Sequence, residues 1–122
     1  MKKLLIILVM FIVSGCQSDT TTSSYEVIDA EDVIEEEPNA DILMYNDTIY
    51  KAGIDWVDNL ALTKNEKIAK VNNQTKNYSE FENGNANNLS VGTDIYSSQE
   101  REDILIVDVD GEERYYYLIV EG

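Results

Sequence analysis

The chain has 122 residues, enough for one domain, with 24 acidic and 9 basic residues and a formal net charge of −15. That charge argues against a nucleic-acid partner, because such binding depends on Lys and Arg neutralising phosphates, and against contact of the domain with an anionic bilayer. The sequence has no histidine, the commonest general base and metal ligand, and its single cysteine allows neither an internal disulfide nor a thiolate zinc site. We therefore expect no metal site and no cofactor.

The N-terminal segment has the pattern of a secretory signal. Lys2 and Lys3 precede ten unbroken apolar residues, 4–13. As a helix these would cover about 15 Å, half of a hydrocarbon core, so they are too short to span a membrane. A basic start followed by a short apolar run is typical of a signal peptide.

Small residues lie directly before the only cysteine, in Val13-Ser14-Gly15-Cys16. This stretch resembles the lipobox of bacterial lipoproteins, and the resemblance covers residues 1–16. It implies cleavage between Gly15 and Cys16, and diacylglycerol on the Cys16 sulfur. It also implies anchoring at the extracytoplasmic face of the cell membrane, where two or more acyl chains hold a protein stably. An ordinary signal peptide cut near Gly15, or a buried helix with a chance cysteine, remains the alternative.

Residues 17–41 contain nine acids and no base, with a Thr/Ser run at 20–24 and Pro38 near the end. Low hydrophobicity with charge of one sign favours disorder, so we predict a disordered acidic tether over residues 16–41. Four apolar residues would suit a short amphipathic helix: Val27, Ile28, Val33 and Ile34. Acid pairs four residues apart oppose that helix. The acids at 35–37 are interpreted as part of a solvated spacer rather than a weak calcium-binding patch.

Residues 42–122 have the pattern of a small, mainly β domain. Two short β-like runs flank Asn46-Asp47, which predicts a hairpin. One or two helical turns are expected in residues 54–60, with Asp55 as N-cap. Further strands are expected within residues 66–75 and 93–98, separated by a loop that contains Asn83-Gly84.

The strongest local signal is Asp110-Gly111, because this pair accepts positive φ at both turn positions of a hairpin. A two-residue loop places Asp108 opposite Glu113, a like-charge pair that a one-residue slip would separate, so the register is left open. The runs 104–107 and 115–120 are apolar on both faces. This pattern favours a curled antiparallel sheet or partial barrel, with a short helix over one end.

Eight tyrosines and one tryptophan raise the question of an aromatic binding surface. Alternation sends Tyr116 to the face opposite Tyr115 and Tyr117. An exposed platform, joined by Trp56, would stack on sugars or hold a peptide. Packing in the core is favoured, because the chain has only two phenylalanines and needs its tyrosines inside. A calcium loop around Asp110 is excluded because apolar and aromatic residues occupy ligand positions.

The stretches "NGNANNLSVGTDIYS" and "ILIVDVDGEERYYYLIVEG" also resemble the C-terminal part of small uncharacterised lipoproteins of Bacillus-like Gram-positive bacteria. Their shared pattern is an Asn/Gly loop, a "VGTxIY" strand, an apolar strand, "VDG" and a closing "VEG". The resemblance implies a mainly β fold at the outer face of the membrane. It implies no activity.

The hypothesis from the sequence is therefore a non-enzymatic binding or interaction module, held at the membrane by lipid on Cys16 and binding an envelope component or a cationic peptide. One alternative is an immunity-type lipoprotein that sequesters a cationic antimicrobial peptide. A cell-wall-acting enzyme is disfavoured, because the chain has no histidine and no Gly-x-Ser-x-Gly elbow. The sequence predicts no particular ligand-binding residue.

Overall fold

A computed structural model describes residues 28–119, which form a mainly β fold and confirm the predicted class. The predicted signal peptide, the cleavage site at Gly15, Cys16 and residues 17–27 lie outside the described residues, as do residues 120–122. The described strands are β1 (Ile42–Tyr45), β2 (Thr48–Lys51), β3 (Lys64–Lys70), β4 (Asn73–Gln74), β5 (Asn85–Ala86), β6 (Asp94–Ser98), β7 (Ile104–Val109) and β8 (Glu112–Leu118). The helices are α1 (Ala30–Glu36), α2 (Asp55–Asp58) and a 3-10 turn, Tyr78–Glu80.

The strands form a single curled sheet, a half-barrel, in the order β3-β6-β7-β8-β2-β1-β5-β4. Neighbours pair antiparallel, as predicted, except at one edge, where β4 and β5 pair parallel over two residues. The 3-10 turn lies in the connection that brings the chain back for this parallel pair. The sheet is therefore mixed at its β4 edge.

The β7–β8 hairpin lies in the interior of this order, as the Asp110-Gly111 signal predicts. Its register is that of a two-residue loop, with Asp108 opposite Glu113. The Lys64 Nζ atom lies 2.6 Å from an Asp108 carboxylate oxygen and 4.0 Å from one of Glu113. The Lys64 cation on the edge strand β3 thus offsets the repulsion between Asp108 and Glu113, and no register slip is needed.

The turn of this hairpin gives a direct test, since Asp110 and Gly111 have φ of 52° and 88°. Gly111→Val should lower the free energy of unfolding by more than the ~1 kcal/mol of an average substitution, because a β-branched residue is strained at positive φ. A Cβ at this position would meet no heavy atom within 4 Å beyond the two adjacent residues, so the cost is conformational rather than steric crowding. Urea unfolding should show a smaller loss for Gly111→Asn, because asparagine tolerates this conformation. Equal stability of both variants would contradict the turn geometry.

The first helix, α1, lies where the sequence predicted a disordered tether, and that prediction is wrong for residues 28–41. Asp29 caps the helix: its Oδ1 accepts a hydrogen bond from the Asp32 backbone N–H at 2.9 Å. Asp32 in turn accepts from the Asp29 N–H at 3.5 Å, which completes a capping box. Such a cap is worth about 1 kcal/mol, whereas each acid pair along the helix costs only a few tenths.

Burial supplies the rest of the stability of α1. Ala30 and Val33 are buried against Ile42 of β1 and Ile49 of β2. The acids of the helix face solvent, so its sequence is amphipathic despite its charge. The folded part therefore begins before residue 42, and α1 covers one face of the β1–β2 hairpin.

The opposite face of the sheet holds the larger apolar cluster. Its buried members come from six strands and the loops between them: Leu43, Tyr50, Ala52, Val71, Ala86, Leu89, Ile95, Leu105, Val107 and Tyr116. The helix α1 covers one face of the β1–β2 hairpin, and the curl of the sheet encloses the other face. Both faces of this hairpin are therefore buried, which is why its strands are apolar on both faces.

The second helix, α2, covers β8. It begins at Asp55, so the predicted N-cap role of Asp55 is wrong; Ile54 holds that position without a side-chain cap. Val57 is fully buried, while Trp56 stays 46% exposed and meets the Tyr117 ring edge-on, at 5.1 Å between centroids. Tyr116 is fully buried, which confirms that it is a core residue.

The free edge of the sheet at β3 carries three lysines, each in an ion pair. Lys67 and Lys70 lie 3.6 Å and 2.9 Å from the same carboxylate oxygen of Asp94 on β6, and Lys64 pairs with Asp108 on β7. Irregular pairing interrupts the β3–β6 ladder between Lys64 and Lys67, and again between Lys67 and Ala69. The edge is thus charged and uneven.

Candidate functional site

Two neighbouring clefts among residues 28–119 share Asp58 and Arg114 as lining residues and together form a groove. The first cleft, of about 570 Å³, lies between residues 37–41, the end of β2 and Gly53. The second, of about 290 Å³, adds the β7–β8 turn region through Val109, Glu112, Glu113 and Tyr115. We refer to the two clefts together as the groove.

One wall of the groove is the segment 37–41, which joins α1 to β1. Its backbone is held at several points: the Ala40 N–H donates to the Glu37 carbonyl at 3.0 Å, and the Asp41 carbonyl accepts from the Ala52 N–H at 3.0 Å. The buried side chain of Asn87 donates to the Ala40 carbonyl at 2.8 Å and accepts from the Ile42 N–H at 2.9 Å. This wall is therefore part of the folded core.

Asp41 is the best-fixed carboxylate of the groove. Its Oδ1 accepts from the Tyr116 hydroxyl at 2.7 Å, and its Oδ2 from Arg114 Nη1 at 2.9 Å. Burial, reinforced by the Asp41 charge, raises the pKa of Tyr116 far above its usual value, so the phenol is a neutral donor throughout the physiological pH range. The Asp41 side chain is only 19% exposed, but its Arg114 partner is 39% exposed.

Acids outnumber bases along the groove. The lining bases, Lys51 and Arg114, are each paired with a groove acid, Glu37 and Asp41 respectively. Asp58 and Glu112 make no ion pair with any base among residues 28–119. The groove therefore carries an excess of negative charge that would attract a cationic ligand.

Another exposed feature is Trp56, which lies on α2 together with Asp58. The Arg101 guanidinium lies 5.2 Å from the centroid of the Trp56 ring, and Arg101 is itself held by Asp103 through two hydrogen bonds of 2.9 Å and 2.8 Å. Tyr117 meets the same ring from its edge. The two alternatives from the sequence, an exposed aromatic platform and core packing, therefore apply to different residues. Tyr116 lies in the core, and Trp56 lies on the surface.

The sequence did not identify Asp41 or Arg114 as site residues. Asp41 was assigned to the tether, and Arg114 is one polar residue next to a tyrosine run. Their contact joins residues 73 positions apart. A local signal exists only in the alternation of β8, which places Arg114 on the same side as Tyr116.

In the part of the chain that the structure describes, no three His, Cys, Asp or Glu side chains converge on a common point as metal ligands would. No helix among those residues has the length and hydrophobicity to cross a membrane. The sequence-predicted lipidation residue, Cys16, lies outside them. No protein-family model, no curated protein and no solved structure matches the chain.

Proposed function

We propose that the protein is a lipid-anchored binding module at the extracytoplasmic face of the cell membrane, and that its groove binds a cationic ligand. The observation that carries the binding proposal is the groove itself. Its two bases are already paired with two of its acids, and Asp58 and Glu112 remain for a ligand. A cationic peptide or an envelope component with ammonium groups fits this charge.

The anchor is supported by the sequence alone. Lys2 and Lys3, the apolar residues 4–13 and the lipobox-like Val13-Ser14-Gly15-Cys16 have the order that lipoprotein processing requires. The excess of acid over base in the rest of the chain would also keep the domain away from anionic lipid.

A binding role is favoured over catalysis by the state of the groove side chains. The Asp41 carboxylate is held between the Tyr116 hydroxyl and the Arg114 guanidinium, an arrangement that fixes its position. Sequestering a cationic antimicrobial peptide, as an immunity-type lipoprotein does, is a narrower form of the same proposal. The acid excess of the groove supports it.

The binding proposal is tested by titrating the full chain, in a non-ionic detergent, with a short Lys/Arg peptide in a calorimeter. We expect binding that weakens as salt rises, since exposed charges are screened beyond about 10 Å at 0.1 M salt. Asp58→Asn with Glu112→Gln should abolish most of the binding. Glu66→Gln with Glu102→Gln removes the same charge from exposed positions outside the groove and serves as the control.

Two results would contradict the groove as the site. One is equal loss of binding in both double variants, which would mean that net charge alone attracts the peptide. The other is no binding by the unsubstituted chain.

The anchor proposal predicts a lipid-modified peptide that begins at Cys16. Mass spectrometry of membrane fractions should detect it, because the cysteine sulfur is the attachment point for diacylglycerol. Cys16→Ser removes the thiol and should abolish the modification. Release of the unsubstituted protein as a soluble species with a free thiol would rule the anchor out.

A further inference from the structure

The loop before β5 contains Asn83-Gly84, the only Asn-Gly pair in the chain. In such a pair the glycine nitrogen can attack the side-chain carbonyl carbon of the asparagine, because glycine has no Cβ to hinder the five-membered ring that forms. The asparagine then loses its amide nitrogen as ammonia. The pair is therefore a chemically labile point of the chain.

The fold requires glycine at position 84. Gly84 has a φ of 91°, and a Cβ at this position would overlap the side chain of Asn72. The Gly84 N–H donates to the Met44 carbonyl of β1 at 2.8 Å, and the Gly84 carbonyl accepts from the Asn72 N–H at 2.9 Å. The loop thus passes too close to its neighbours for any side chain at this position.

The fold also uses the amide at position 83. The Asn83 Oδ1 atom accepts from the backbone N–H of Asp47 at 2.7 Å, and the Asn83 Nδ2 atom donates to the Asp47 carboxylate at 3.0 Å. An amide accepts and donates at once, whereas a carboxylate only accepts. These two hydrogen bonds, which we call the Asp47 clasp, tie the loop to the turn between β1 and β2.

Both reacting groups are engaged in the folded chain. The attacking nitrogen is the one whose N–H is bonded to Met44, and the carbon under attack belongs to the amide that Asp47 holds. Asn83 and Asp47 are both exposed, so water reaches the pair and burial does not protect it. Its protection rests on the hydrogen bonds.

We propose that Asn83-Gly84 is a latent deamidation site, which the Asp47 clasp keeps closed in the folded chain and which reacts when the loop opens locally. The Gly84 nitrogen forms a bond to Asn83 Cγ, and its proton leaves with the amide nitrogen as ammonia. Water then opens either C–N bond of the succinimide ring to give aspartate or isoaspartate. This inference is independent of the groove.

The product cannot rebuild the clasp. A carboxylate at position 83 has no proton to donate to Asp47, and the two negative charges would repel each other at hydrogen-bond distance. Isoaspartate also adds one atom to the backbone next to β5. Deamidation would therefore release the loop from the β1–β2 turn in one direction only.

The first test follows deamidation of the full chain, in a non-ionic detergent at mildly alkaline pH, by mass spectrometry of the peptide that contains residue 83. The folded chain should react about tenfold or more slowly than the chain unfolded in guanidinium chloride, because reaction waits for local opening. Asp47→Gly removes one hydrogen bond of the clasp and suits the positive φ of this position. It should speed the reaction of the folded chain about fivefold.

The matched control is Asp110→Gly, which replaces an aspartate at positive φ in the β7–β8 turn and should leave the rate at residue 83 unchanged. Peptide mapping separates residue 83 from the Asn-Gly pair that Asp47→Gly creates at positions 46–47. If Asp47→Gly does not fold, Asp47→Asn and Asp110→Asn replace the two variants, because an amide is a weaker acceptor than a carboxylate.

Thermal unfolding measures the consequence of the modification. Asn83→Asp has the side chain of the product and should melt at a lower temperature than Asn88→Asp, which makes the same charge change at an exposed position of the same loop. Combining Asn83→Asp with Asp47→Asn exchanges the two ends of the clasp. This double variant should regain most of the lost melting temperature, because the carboxylate then accepts from an amide and a backbone N–H.

Four results would overturn the proposal. Equal rates in the folded and unfolded chain would mean that the fold does not protect the pair, and no reaction in either would mean that the pair is not labile. Equal rates at residue 83 in Asp47→Gly and Asp110→Gly would remove the clasp as the cause. Equal melting of Asn83→Asp and Asn88→Asp would show that the product loses no contact.

Discussion

Replacing Ile106 with alanine should lower the free energy of unfolding by about 2–5 kcal/mol, the range for truncating a large aliphatic side chain in a core. Ile106 is fully buried in β7. Its cross-strand neighbours are Tyr96 on β6 and Tyr115 on β8, so the cavity would open at the centre of the sheet. Urea melts of the soluble form that lacks residues 1–16 would measure the loss.

The control for this variant is Glu35→Ala on α1. Glu35 is exposed, and its removal also relieves an acid pair, so its stability should stay within about 0.5 kcal/mol of the parent. A small and equal effect from both variants would mean that the β7–β8 hairpin does not hold the core.

Val33→Asp should cost about 2–4 kcal/mol, because a carboxylate without a partner would take the place of a buried side chain on α1. We expect α1 to detach rather than bury the charge. Urea melts should therefore show a lower free energy of unfolding, and hydrogen exchange should show faster exchange across Ala30–Glu36.

Glu36→Asp places an aspartate at an exposed position of the same helix and should change neither measurement appreciably. If Val33→Asp behaves like Glu36→Asp, residues 28–41 do not pack on the domain and the tether prediction stands for them. A wide difference between the two variants supports the docked helix.

The two hairpins were predictable because their signals are local. Asn46 and Asp47 have φ of 54° and 64°, and Asp110-Gly111 adopts the same left-handed pair, so four residues were enough to place both turns. Predicting the β7–β8 register required a non-local contact as well. The repulsion between Asp108 and Glu113 is offset by Lys64, which is remote in sequence. Sequence alone left that register open for this reason.

Helix α1 was not predictable by composition, since acids dominate residues 28–41. What stabilises the helix is the apolar face of the β1–β2 hairpin formed by Ile42 and Ile49, which no neighbouring strand covers. The apolar spacing of Ala30 and Val33 was present in the sequence, but its value depends on that distant face. A charged segment can fold when a sheet offers one apolar stripe for it to cover.

The groove was beyond sequence for a geometric reason. Asp41 and Tyr116 lie 75 residues apart, and they meet only because β8 pairs with β2 and β1 follows β2 in the sheet. Neither residue belongs to a motif. A lipobox, by contrast, is a linear signal, so the resemblance of Val13-Ser14-Gly15-Cys16 to one could be proposed from the first sixteen residues alone.

The lysines on β3 have a consequence for contacts between two copies of the domain. If two copies met edge to edge, the cations of Lys64, Lys67 and Lys70 would lie against the same cations of the other copy. The interrupted β3–β6 ladder would also present an uneven backbone. At the opposite edge, β4 has only two residues and offers little template for a further strand. Both open edges of the half-barrel are therefore poor templates for pairing with a further strand.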